Sequence, residues 1–366
     1  MSNKQHKINI VLNQNLPLFG ILCLCGVIYL GFVTSYWFLM FLILIPLVFL
    51  NRKINWQQWL TSGIIVLLFV LLVIFAQNFS LIKLINKRPK IIKNSILNFF
   101  DNNYGQEISS FLKLILLNIK SSETWIFYKQ TVDLGIMWLI CISGFHVSLI
   151  SKIIKWIFKK RPKIGKYVSI TIVGFYSFLL DFSYGSLRVF FKLVYDWIFF
   201  KFQIKRYDKL GFIGLTLCLT NPVCFISYGF LLSFLISAAA YYVSSLELNN
   251  RIINSLLINV LAFIIIIPFA IEMNNKISLL TFINAFVCSY FSSIIFLYLL
   301  IFAWMPFMAI VHHGIMLFTY VMVGNISFSN VFIYSVTWPI WGCFIYYAGV
   351  LGLTKVVYLI VYNNKI

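Results

Sequence analysis

The chain has 366 residues, 61% apolar and 10% charged, with 29 Lys and Arg against 9 Asp and Glu for a formal net charge of +20. Water-soluble domains carry about a quarter charged residues, so a soluble enzyme, a disordered chain and a disulfide-rich scaffold are all excluded. The expected fold is all-α: a polytopic protein of the cell membrane with roughly ten transmembrane helices of about 20 residues each.

Lys4 and Lys7 precede an apolar run from Leu16 to Leu50 with no small-residue cleavage site, which reads as a retained anchor. That run is long enough for a helical hairpin turned near Thr34 and Ser35, and a third span follows over 59–79, closing an N-terminal unit of residues 1–79. Residues 80–131 change in texture. They hold Lys83, Lys87, Arg88, Lys90, Lys93, Asp101, Glu107 and Glu123, with Asn102-Asn103-Tyr104-Gly105 as a turn signal. This is a small segment facing water.

Spans resume at about 132–154 and end in a dense basic loop, Lys152, Lys155, Lys159, Lys160, Arg161, Lys163 and Lys166. Seven cations in fifteen residues place that stretch in the cytoplasm. Counting back then puts residues 80–131 outside, where the cations between Lys83 and Lys93 either resist the topology rule or serve an anionic ligand. Further spans are expected near 167–182, 211–227, 229–246, 253–271, 278–303, 305–324 and 331–361, so residues 132–366 read as one bundle. Between them, 186–210 has the pattern of an amphipathic helix lying in the interface. All seven cysteines (Cys23, Cys25, Cys141, Cys218, Cys224, Cys288, Cys343) fall in apolar segments without a C-x-x-C, as small buried residues.

Few residues could carry chemistry. His146 lies in an apolar helix, where an imidazole is costly unless it meets a cavity or a partner. Ser143 lies three residues before it on the same face, and Gly144 with Ser148 forms a small-xxx-small pair suited to close helix packing. A nucleophile–base pair at Ser143 and His146 would lack an oxyanion hole and room for substrate. His312 and His313 are adjacent and point about 100° apart, too far to share an ion. No hydrolytic metal motif and no P-loop is present; no metal, cofactor or enzymatic activity is expected. Arg188, Lys192 and Asp196, spaced i, i+4, i+8, share one helical face, either as headgroup anchors or as the lining of a polar path for an anion. Asp133, Asp181 and Glu272 read as interfacial anchors.

Gly135-Ile136-Met137-Trp138-Leu139-Ile140-Cys141-Ile142-Ser143-Gly144-Phe145-His146 resembles the G-L-x-H-L-x-A-I-S-G-L-H signature of the ComEC-type competence proteins, bacterial membrane channels for DNA uptake. Phe182-Ser183-Tyr184-Gly185-Ser186-Leu187-Arg188 looks like their F-S-x-S-x-x-R-A segment. Asn221-Pro222 with Gly229-Phe230-Leu231-Leu232-Ser233-Phe234 is similar to D-P … G-F-Q-L-S-F, and Pro268 and Asn284 fit a later P … N pattern. Trp138, Asn221 and Leu231 depart from the pattern, each removing a polar group. The resemblance implies a channel core without the family's C-terminal metallo-β-lactamase-like domain, and residues 80–131 compare with a reduced form of its outer OB-like domain. It implies passage of single-stranded DNA, with a separate nuclease and a cytoplasmic helicase or ATPase as partners alongside membrane lipid. Ser143, Gly144 and His146 would form the narrow point, Arg188 and Lys192 would meet phosphate near Asp196, and Lys83, Lys87, Arg88, Lys90 and Lys93 would capture DNA outside. The alternatives are a small-molecule or lipid transporter on a diverged scaffold, and an intramembrane hydrolase.

Overall fold

A computed structural model describes residues 91–119, 144–199 and most of 206–304, with 309–317, 333–335 and isolated residues elsewhere. In chain order the helices are α1 (Ile91–Asn103), α2 (Gln106–Leu117), α3 (Gly144–Ile157), α4 (Pro162–Leu179), α5 (Tyr184–Ile198), α6 (Arg206–Thr220), α7 (Tyr228–Ser245), α8 (Arg251–Asn274) and α9 (Thr281–Phe302). Residues 309–317 are also helical. The described structure is thus all-helical except for one ribbon not expected from sequence, in which β1 (Lys276–Ser278) pairs antiparallel with β2 (Ile333–Ser335), Ile277 opposite Tyr334. The chain divides into two compact units. One comprises Met1–Ile85, Leu187–Glu247 and Trp338–Ile366, the other Asn86–Ser186 and Leu248–Thr337.

The second unit begins with a helical hairpin. α1 buries Phe100 on its inner face, while α2 is buried along most of its length from Ser109 to Leu117. α2 stops at Asn118, whose left-handed φ of 56° is tolerated by asparagine and lets its N–H return to the Leu114 carbonyl at 3.1 Å. Residues 91–117, in the segment compared above with an OB-like domain, are therefore helices rather than strands. The hairpin is held by aromatic and polar contacts. Phe99 stacks on Trp304 and Phe100 lies 5.4 Å from the same ring. The Tyr104 hydroxyl donates to the Ala303 carbonyl at 3.0 Å, and Tyr176 donates to Leu116 at 2.7 Å. Burial pushes the Tyr104 phenol pKa up.

α3 and α4 form a second hairpin, and here the structure departs from the expected basic loop. Most of those cations stand on helix, because α3 continues to Ile157 and α4 starts at Pro162, whose fixed φ suits a first helical turn. Only 158–161 turn, closed by Arg161 N–H to the Phe158 carbonyl at 2.8 Å. Gly165 makes this crossing close: a Cβ there would sit 2.9 Å from Phe158 Cβ. Gly165→Ala should therefore cost about 1–3 kcal/mol of stability, read as a lower thermal unfolding midpoint in detergent. A hairpin insensitive to the added methyl would show that its helices are free to move apart.

Several helices bury small polar side chains beside their apolar core and leave large apolar ones exposed. α4 buries Ser169 and Ser177 while exposing Ile172 and Phe175; α9 buries Ser292 while exposing Ile301 and Ile294, the latter 65% exposed. α8, with Pro268 inside it, buries Asn259 and exposes Ile252, Ile253 and Leu256. Contiguous exposed apolar surface of this kind marks contact with a partner or a membrane. Among the described residues, no helix is long and apolar enough to cross a membrane.

Candidate functional site

In the second unit, α3 places His146 in the interior. The residue is 2% exposed, its ring 4.8 Å from that of Phe296 and beside the backbone of Ser292 on α9. Gly144 is buried in the same turn, and the absence of a side chain there suits close approach. Ser151 is buried one turn on, whereas Lys155 and Lys159 are exposed, so this face of α3 leaves the interior after Ser151. A side chain bordering open water would show exposed surface, so the structure holds this point closed. Gly135, Ile142 and Ser143 lie outside the described residues.

The turn between α4 and α5 carries the start of the Phe182–Arg188 segment. Asp181 and Phe182 both take positive φ, 51° and 54°, conformations uncommon for residues with a side chain and costly for a bulky one. Phe182 N–H bonds back to the Ser177 carbonyl at 2.9 Å, and Ser186 donates to the Ser183 carbonyl at 2.8 Å. Lys93 reaches this turn from α1 and pairs with Asp181; the Lys93 side chain is 8% exposed and that of Asp181 35%. Lys93, expected in an outer capture patch, is thus buried with a counter-ion. Asp181, expected as an interfacial anchor, supplies the charge. Lys83, Lys87, Arg88 and Lys90 lie outside the described residues.

In the first unit, α5 lies against both α6 and α7. Tyr195 meets α6, its hydroxyl 2.6 Å from Thr216 Oγ1 and its ring 4.7 Å from Phe212, and Lys209 donates to Asp196 at 2.7 Å. Arg188 meets α7, where its guanidinium donates to the Ser233 carbonyl and to the Ser237 hydroxyl. Ser237 also donates to the Ser233 carbonyl at 2.8 Å. One turn along, the exposed Lys192 lies 6.0 Å above the Tyr241 ring, within range of a cation–π contact. Arg188 and Lys192 therefore meet a matching face of α7, Ser233, Ser237 and Tyr241, whereas Asp196 of the same spacing meets α6. Sequence reasoning missed Ser237 and Tyr241, although their spacing from Ser233 was available. Lys209 neutralises Asp196, whereas Arg188 and Lys192 enter none of the ion pairs seen among the described residues, Lys93–Asp181, Lys113–Asp101 and Lys209–Asp196. Phe230 is buried and Gly229 exposed at the start of α7, while Pro222 lies outside the described residues.

His312 and His313 stand with ring centroids 6.2 Å apart at 83°, and His313 Nδ1 bonds at 2.7 Å to the Ala309 carbonyl of its own helix. Among the described residues no cluster could hold a metal ion.

These features define a helical protein that buries hydroxyls and an imidazole within an apolar core, leaves large apolar side chains exposed, and carries two cations without acidic partners on one helix face. Residues 116–359 match the family model described as "Competence protein", and the chain belongs to that family. Membership points to a role related to DNA uptake and to a membrane location. Two Mycoplasma chains are similar: "Uncharacterized protein MG316" of Mycoplasma genitalium and its homolog in Mycoplasma pneumoniae. Each is 27% identical over 191 residues, which cover 52% of this chain and 50% of the relative. The chain thus spans about half the length of these curated relatives. No solved structure matches it.

Proposed function

We propose that the chain is a multi-pass helical channel that passes single-stranded DNA across the cytoplasmic membrane during natural transformation. The observation that carries this reading is the competence match over 116–359. Arg188 and Lys192 support it, since phosphates moving past α5 need cations that no carboxylate has neutralised. The outward apolar residues of α4, α8 and α9 support embedding in lipid. In this reading residues 132–366 form the channel domain, 1–79 its N-terminal helices, and 80–131 an outer segment. The chain conducts and does not catalyse, and a separate nuclease and a cytoplasmic helicase or ATPase prepare and pull the strand. Because His146 packs on Phe296, passage requires α3 and α9 to part.

Deleting the protein in its host should leave labelled DNA bound at the cell surface and stop its entry, with transformants lost. Entry at the undeleted rate would end the proposal. That outcome, joined to a changed lipid distribution, would favour the rival lipid transporter.

A further inference from the structure

The α3–α4 hairpin carries a feature that conduction does not use. All seven cations from Lys152 to Lys166 are exposed, and no Asp or Glu occurs between Asp133 and Asp181. Helix stability does not account for all of this charge: Lys155 suits the last turn of α3, but Lys163 stands in the first turn of α4, where the helix dipole repels a cation and no acidic residue offsets it. Beside the tip, Trp156 is 75% exposed and Tyr167 54%. Exposed hydrocarbon accompanies them: Ile153 and Ile157 on α3, interleaved with the exposed Lys152 and Lys155, and Ile172 and Phe175 on α4. Along α4 the last cation of the tip, Lys166, is followed by the Tyr167 ring and then by Ile172 and Phe175, the order of layers met on passing from headgroups into a bilayer. A nucleic acid strand could neutralise the cations but would leave the isoleucines uncovered.

We infer that the α3–α4 tip is a docking surface for the anionic phospholipid headgroups of the cytoplasmic leaflet. The inference rests on the membrane-embedded reading proposed above. The attraction of a lysine or arginine to an anionic surface is worth about 1 kcal/mol per cation, about fivefold in affinity, and the tight 158–161 turn presents several cations together.

The test uses the full chain reconstituted in bilayers of phosphatidylcholine alone or mixed equally with phosphatidylglycerol, with spin-labelled lipids reporting which headgroup associates with the protein. The wild type should select phosphatidylglycerol at least about fivefold, the equivalent of about 1 kcal/mol. High salt and the variant K159Q/K160Q/R161Q/K163Q should both bring that selection close to unity. Equal selection by wild type and variant overturns the inference. So does binding of a short single-stranded oligonucleotide, in phosphatidylcholine bilayers, that the wild type shows and the variant loses. Resistance to alkaline carbonate extraction is measured in parallel. A chain that washes out defeats the embedded reading itself, whereas one that stays embedded without headgroup selection defeats only the docking surface.

Discussion

Arg188→Gln should lower DNA entry about tenfold to a hundredfold while the protein still folds and accumulates. The guanidinium donates to two neutral acceptors on α7, the Ser233 carbonyl and the Ser237 hydroxyl, so its positive charge is solvated but not cancelled. Hydrogen bonds to a charged group are worth about 1.5–3 kcal/mol, which sets that range if a phosphate takes such a bond as it passes. Glutamine can still donate to one of the α7 acceptors, so the helix contact is weakened rather than lost. Arg188→Lys separates the two roles: it keeps the charge but not the planar fork, and should give intermediate entry. The measurement is entry of labelled DNA per unit of folded protein. If both variants lose stability in proportion to uptake, Arg188 is a clamp between α5 and α7 and nothing more.

The second large effect falls on the Lys93–Asp181 pair, and it is asymmetric. Asp181→Asn leaves a nearly fully buried ammonium without its counter-charge, which should cost about 3 kcal/mol or somewhat more. Asparagine adopts the left-handed backbone at this position as readily as aspartate, so the loss reports charge and not strain. Lys93→Met leaves a carboxylate about one-third exposed that water can reach, and should cost about 1 kcal/mol or less. The double variant should recover much of the Asp181→Asn loss, because removing both charges together spares the buried one. Thermal unfolding midpoints in mild detergent should therefore rank wild type, Lys93→Met, the double variant and Asp181→Asn from high to low. The reverse order for the two single variants would mean that water reaches Lys93 and that the pair is an ordinary surface contact.

Local periodicity made part of this structure readable. The face of Arg188, Lys192 and Asp196 follows from spacing alone, and the helices over 228–245, 251–274 and 281–302 fall where long apolar runs predict them. What could not be read depends on chain distance. Asp181 looks like an interfacial anchor until α1 brings Lys93 to it from 88 residues away. The depth of His146 was legible, but not the Phe296 ring that closes over it. The ribbon of Ile333–Ser335 on Lys276–Ser278 is three residues a side, too short for alternation to register. The basic stretch was misjudged for another reason: lysines suit helix interiors well, so a run of charge marked a helix boundary less sharply than Pro162 did.

The α1–α2 hairpin lies almost wholly ahead of the matched family region yet is bonded into the same unit through Trp304, Ala303, Tyr176 and Asp181. A shortened chain that began at residue 116 would bare more of the Trp304 indole, already 43% exposed, and strand the Asp181 carboxylate. Expression boundaries drawn from the homology alone would thus yield a sticky fragment, and the useful cut lies upstream of Ile91.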